Sequence, residues 1–306
     1  MLPLLPAYLE SGSLDDRVLG LVRFGRSTSL SEGVLTVALP SLGAAKTEVW
    51  RSPVPVMRGE RSGIAFAHNG QVLIGAVISK DSDIEAAARK TYEAIVRVAC
   101  GEGYPFLLRV WNHVRDINSG AGDAERYKRF CTGRHESLTA AKLQNHEFPS
   151  ASAVGMVDGE LAVYFVASRS AGRQVENPRQ VSAYNYPREF GLRSPSFARA
   201  TVARFGGDEI AFISGTASVV GHETRHAGDT TAQLEETIRN LERIVTESGA
   251  TTDAVRALKV YVRRDAKAEA MTSPLQSVFP AASLLVVESD TCRRDLLLEI
   301  EAIAIR

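Results

Sequence analysis

The feature that most limits what this chain can fold into is a series of short motifs that occurs twice in the same order. QVLIGAVIS around Gly75 matches IAFISGTAS around Gly215. LLRVWNHV matches ALKVYVRR, with Leu108 against Leu258, and FPSASAV matches FPAASLL, with Phe148 against Phe279. The offsets of 140, 150 and 131 residues differ only as loop lengths would, so the chain reads as two copies of one β–α–β–β unit. In the first copy a hairpin over 63–79 turns at Asn69-Gly70, and Asp81-Ser82-Asp83 caps a helix from Ile84 to Cys100. A strand over 106–114, a helix over 123–138 interrupted near Gly133, and strands over 148–157 and 160–168 follow. The second copy has a strand over 209–220 and a helix from about Ala232 to Ser248 behind Asp229. Strands over 257–264, 279–289 and 296–306 complete it. Residues 17–28 and 33–39 are further strands, and 46–57 is an extended segment broken by Pro53 and Pro55.

The fold class expected is α+β: two α/β domains, each a mixed sheet with helices packed on one face. The boundary falls in the polar RSAGRQVENPRQ, giving domains 1–170 and 171–306.

The last strand, LLLEIEAIAIR, is apolar on both faces, as a strand covered on both sides must be. Glu299 and Glu301 share one of those faces. Each needs a partner, a cavity or a proton. Spacing alone leaves two readings open: a pair near the sheet edge meeting arginine or water, or a functional acid. Where the second copy has EIEAIA the first has YFVASR, which sets Tyr164 opposite Glu299 and leaves the acid in the second half alone.

Composition excludes several classes. Lys+Arg 36 against Asp+Glu 36 gives no net charge, so nothing suggests nucleic-acid or anionic-membrane binding. Cys100, Cys131 and Cys292 form neither a disulfide framework nor a zinc site, and no run is long enough to span a membrane. The N-terminus lacks a basic region and carries Pro3 and Pro6, a poor signal peptide. A cytoplasmic protein, monomeric or a small homo-oligomer, is expected.

SAYNYPREFGLRSPSFARA (182–200) crowds Tyr184, Tyr186, Arg193 and Arg199 into a stretch punctuated by Pro187, Gly191 and Pro195. It is either a shaped binding loop, whose guanidinium forks suit a dianion, or a connector whose arginines face water. Gly215 stands inside a strand, where glycine is costly unless something approaches the backbone, with Thr216 beside it. His222 and His226 are spaced i, i+4 with no third ligand nearby, a weak metal pair. Cys292 precedes Glu299 by seven residues through the turn-like CRRD, and parity does not say whether the two share a face.

Residues 207–306, with ISGTAS, LKVYV, FPA and LEIEAIA, resemble the YjgF-like reactive-intermediate deaminases. That family's carboxylate-gripping arginine follows FPA, where this chain has Ala282, so enamine deamination is disfavoured. The whole chain more closely resembles the chorismatases, two-domain relatives of that family. The resemblance is carried by RVWNHVRDIN, AERYKRFCTGRHESL, SAYNYP, RSPSFARA, SGTASVVGHE and CRRDLLLEIEA. It implies cleavage of chorismate to pyruvate and 3-hydroxybenzoate without metal or organic cofactor, with Glu299 protonating the enol ether. It also implies that Cys292 and Gly215 mark the 3-hydroxybenzoate-forming subgroup, the hydrolytic subgroup tending to have alanine at both. Tyr184, Tyr186, Arg193, Arg199, Gly215 and Thr216 are the expected substrate contacts. Hydrolysis to the dihydroxycyclohexadiene carboxylate and formation of 4-hydroxybenzoate remain open. So does a non-catalytic YjgF-like module that binds a small carboxylate.

Overall fold

The computed structural model describes residues 4–266 and 268–306. Strands Pro6–Leu9 (β1), Val18–Phe24 (β2), Ser29–Ser31 (β3), Val34–Val37 (β4) and Thr47–Arg51 (β5) pair only with one another, in the order β1-β5-β2-β4-β3. The sequence marks most of these segments as extended but carries no local sign that they form a sheet of their own.

The first repeat follows. It contains strands Met57–Arg61 (β6), Ile64–His68 (β7) and Val72–Ser79 (β8), helix Ile84–Gly101 (α1), strand Phe106–Arg115 (β9), helix Arg126–Ala140 (α2), and strands Ser150–Met156 (β10) and Leu161–Ser168 (β11). Its sheet order is β10-β9-β11-β8-β7-β6. The second repeat contains Arg173–Val175 (β12), Ala200–Phe205 (β13), Asp208–Thr216 (β14), the two-residue strands Val219–Val220 (β15) and Glu223–Thr224 (β16), helix Thr230–Glu247 (α3), Val255–Val262 (β17), helix Thr272–Val278 (α4), Ser283–Glu288 (β18) and Leu298–Ile305 (β19). Its main sheet runs β12-β13-β14-β19-β17-β18. The run β10-β9-β11-β8 therefore matches β18-β17-β19-β14, and each repeat has one parallel pair, β9 with β10 and β17 with β18, bridged by a helical crossover. Register agrees: Tyr164 pairs with Trp111 as Glu299 pairs with Tyr261.

Local chemistry sets the helices. Asp83 accepts from the Glu85 and Ala86 N–H groups to start α1, and Asp229 accepts from Ala232 to start α3. α2 runs unbroken through Gly133, where an interruption was expected. The glycine serves packing instead: a Cβ there would overlap the Glu85 carbonyl of α1, whose carbon would lie 2.9 Å away. The segment 209–220, expected as one strand, ends at Thr216. Its pairing with β19 shifts register between Ile213 and Thr216, a bulge centred on Ser214 and Gly215.

Each helix layer covers one face of its sheet. The opposite faces of the two six-stranded sheets and the N-terminal sheet share one core, which brings Trp111 and Tyr164 to Tyr261 and Ile303, and both to Phe24 and Trp50. The seam between the repeats is made by β10, an edge strand. Its Ser150 N–H donates to Thr201 Oγ1 and its Ala151 N–H to Ser214 Oγ, both at 2.9 Å, so hydroxyls of the second repeat replace a neighbouring strand.

Candidate active site

β19 lies between β14 and β17, so Glu299 and Glu301 are in the middle of the second sheet and not near its edge. Alternation turns both away from α3, toward the seam. There the two glutamates have opposite fates.

Glu301 meets five donors. Arg109 Nη2 and Trp111 Nε1 bond it at 2.6 Å, Ser152 Oγ at 2.7 Å, and Tyr261 OH and Lys259 Nζ at 3.0 Å. Lys259 is itself shared with Glu48 at 2.5 Å and donates to Tyr164 OH at 2.6 Å. Burial works against ionisation of Glu301, but Lys259 and Arg109 outweigh it and draw its carboxyl down to about 2.

Glu299 is equally buried, yet among the described residues no protein donor bonds its carboxyl. Burial first, and the Glu301 charge second, push it up to about 8 against the opposing pull of Arg109, Arg199 and Arg293. It therefore carries its proton at neutral pH. It faces a cavity of about 500 Å³ on the seam, walled by both repeats.

Five of the eight site residues expected from sequence line this cavity: Glu299, Cys292, Gly215, Tyr186 and Arg199. Gly215 borders Glu299 directly, since a Cβ there would stand 2.6 Å from Glu299 Cδ and closer still to Oε1. The space that the missing side chain leaves is taken by the acid. Cys292 is raised to about 12 by burial and then by Glu299, so it presents a neutral thiol. Arg199 donates to Tyr186 OH at 2.7 Å and to the Val181 carbonyl at 2.9 Å, while its buried Nε has no partner.

Tyr184, Arg193 and Thr216 are not on the wall. The Tyr184 ring packs edge-on against Phe148, 6.2 Å between centroids. Arg193 is exposed on the loop that follows Gly191. Thr216 is buried and donates to the Ser214 carbonyl at 3.0 Å within its own strand.

Three arginines that the sequence does not mark as site residues, Arg134, Arg293 and Arg294, also line the wall. Arg134 is buried on α2, its Nε unpartnered and its guanidinium over the Phe130 ring at 5.2 Å, with no ion pair among the described residues. Arg293 lies over Phe190 at 4.4 Å and Tyr186 at 5.4 Å and donates to the His222 carbonyl at 2.8 Å. The signal for Arg134 was present: Tyr127 and Arg134, seven apart on one helix face, both reach the cavity. Gly133, which looks locally like a helix break, hides it. The arrangement offers a protonated carboxylic acid in a cavity lined by four guanidiniums, those of Arg134, Arg199, Arg293 and Arg294, among apolar and aromatic walls, which suits a small polyanion that must be protonated on carbon.

Comparison with known proteins gives a consistent picture. Residues 48–167 match the family described as Chorismatase FkbO/Hyg5-like, N-terminal, and residues 198–306 match Endoribonuclease L-PSP. The chain is 37% identical to a 3-hydroxybenzoate synthase of Streptomyces hygroscopicus over 84% of its own length and 80% of the relative's. It is 34% identical to a chorismatase of the same species over 94% of this chain and 89% of that one. A crystal structure of a chorismatase superposes with a TM-score of 0.86 at 32% identity, covering 98% of each chain.

Proposed function

Because this chain belongs to the chorismatase family, we propose that it is an enzyme converting chorismate to pyruvate and 3-hydroxybenzoate, with Glu299 as the general acid. The observation that carries the reading is the buried, unbonded Glu299 carboxyl facing a cavity lined by Arg134, Arg199, Arg293 and Arg294, and burial and the Glu301 charge favour its protonated form. Chorismate is a small dianion whose enol ether is inert until its methylene carbon takes a proton. The guanidiniums neutralise and orient the two carboxylates. Glu299 delivers its proton to the methylene carbon, leaving an oxocarbenium centre and a Glu299 carboxylate. That centre is open to water or to the substrate's own hydroxyl. The neutral thiol of Cys292 and the aromatic wall of Tyr186 and Phe190 favour the second route by limiting water. After the ring hydroxyl adds, that oxygen's bond to the ring breaks while the ring carbon bearing the ether oxygen loses its proton, and the aryl hemiketal so formed collapses to pyruvate and 3-hydroxybenzoate. The products together have the composition of chorismate, so the ring proton released balances the one delivered and Glu299 can take it back.

A domain boundary between residues 170 and 171 fits this division of labour, since β11 ends at Ser168 and β12 begins at Arg173. The acid then comes from the second domain and Arg134 from the first.

The test is Glu299→Gln, which keeps shape and removes the acidic proton. Pyruvate release from chorismate should fall by roughly 10²–10⁴-fold in a folded variant. Turnover near the parent rate would remove Glu299 from the chemistry. Absence of pyruvate from the parent protein would favour a binding module.

A further inference from the structure

We infer that Glu301 is the fixed counter-charge that sets the acidity of Glu299, a positioning residue that never touches substrate; the inference rests on Glu299 being the acid of the reaction above. Two residues apart on one face of a strand, the carboxyls hang from Cα atoms about 7 Å apart. Glu301 cannot turn into the cavity or take up a proton without breaking bonds. Its Oε1 is held by Trp111 and Lys259, and its Oε2 by Arg109, Ser152 and Tyr261. Every acceptor direction of the carboxylate is used.

Other charges around Glu299 come from every element that packs against it. Arg109 projects from β9, Arg199 precedes β13, and Arg293, Arg294, Asp295 and the neutral Cys292 precede β19; Arg134, Tyr127 and Lys128 come from α2 with Glu125 at its N-cap, Glu189 from the loop before β13 and Glu223 from β16. Tyr261, opposite Glu299 on β17, spends its hydroxyl on Glu301. The cavity cations favour loss of the Glu299 proton, but a bound dianion neutralises them. Glu301 is out of the dianion's reach, so its charge opposes ionisation of Glu299 before and after binding. It also holds the acid's seat. Ser152 Oγ donates to Glu301, accepts from Arg109 and accepts the Gly215 N–H at 3.0 Å, fixing the bulge against which the Glu299 carboxyl rests.

The experiment is the pH dependence of kcat/KM for pyruvate release from chorismate by the purified protein. Glu299 must be protonated to act, so activity is present below its titration and lost above it, which sets the parent's alkaline limb near pH 8. In Glu301→Gln the limb should move down by about 1–2 pH units, a loss of about 10–100-fold at alkaline pH that recovers toward acid. Glu301→Asp, which keeps the charge, should hold the limb near the parent's. Lys259→Met, which removes a cation while Arg109 keeps Glu301 ionised, should move it up. A folded Glu301→Gln with an unmoved limb overturns the inference, as does an equal shift in Glu301→Asp. Failure of both Glu301→Gln and Lys259→Met to fold would reduce the network to a stabilising role and overturn it too. Retained activity in Glu299→Gln would refute the acid itself, a separate result.

Discussion

Replacing Gly215 with alanine tests the site at its tightest point. The added methyl carbon would stand 2.6 Å from Glu299 Cδ, while carbon atoms in contact prefer about 3.5 Å or more, so the carboxyl must retreat by about 0.9 Å. The backbone cannot supply that movement. β19 is held on both sides by β14 and β17, and the bulge at Gly215 is tied to Ser152. The side chain of Glu299 therefore rotates, and the proton donor leaves its aim. A misplacement near 1 Å at a reacting group costs up to about 10²-fold, so Gly215→Ala should lower kcat for pyruvate release by roughly 10–100-fold, about 1.4–2.7 kcal/mol. Coupling released pyruvate to NADH oxidation by lactate dehydrogenase measures the rate, and chromatography of the aromatic and diene acids measures the partition. The family resemblance gives Gly215 another role, marking which product is formed and not how fast. An unchanged rate of pyruvate release with an altered product ratio would support that role and refute the argument from the displaced acid.

The other predictions concern grip and outcome. Arg134→Ala and Arg199→Ala should each lower kcat/KM by about 10–100-fold, as expected for the loss of a charge-assisted bond to substrate. Arg193→Ala, at an exposed position, should change it by less than about twofold; equal losses at all three positions in steady-state kinetics would refute this ranking. Cys292→Ala should divert product toward the non-aromatic dihydroxy acid while pyruvate continues to appear. A lower yield at an unchanged product ratio would make the thiol a packing residue.

Much of the second repeat was legible because its signals are local. Asp229 announces α3, and alternation announces β19 and puts both glutamates on one face. What alternation could not say was that their environments differ. Arg109 and Trp111, which claim Glu301, stand some 190 residues away in the chain. Only the packing of two sheet faces brings them there, while the same packing leaves Glu299 to the cavity. Gly133 misled for a related reason. Glycine within a helix weakens it as a local signal, but here the lost side chain is offset by the close approach of α1, a contact no local window contains. The separate N-terminal sheet was missed because its strands are short and their partners are set by tertiary pairing. Arg193 and Arg199 are indistinguishable in composition; the loop leaves one exposed and buries the other against Tyr186.

The pairing of Tyr164 with Trp111, the counterpart of Glu299 with Tyr261, bears on how a duplicated scaffold becomes lopsided. The position that holds an acid in one half holds a phenol in the other, and that phenol donates to Glu48 at 3.0 Å while accepting from Lys259. The unused half-site has become mortar for the ion cluster that steadies the working one. Restoring twofold symmetry by giving Tyr164 a carboxylate would set a new negative charge against Glu48, where no spare cation waits among the described residues. The asymmetry of this protein is thus written into its interior and not into loops that could be exchanged, and the two halves, alike in topology, are no longer interchangeable in chemistry.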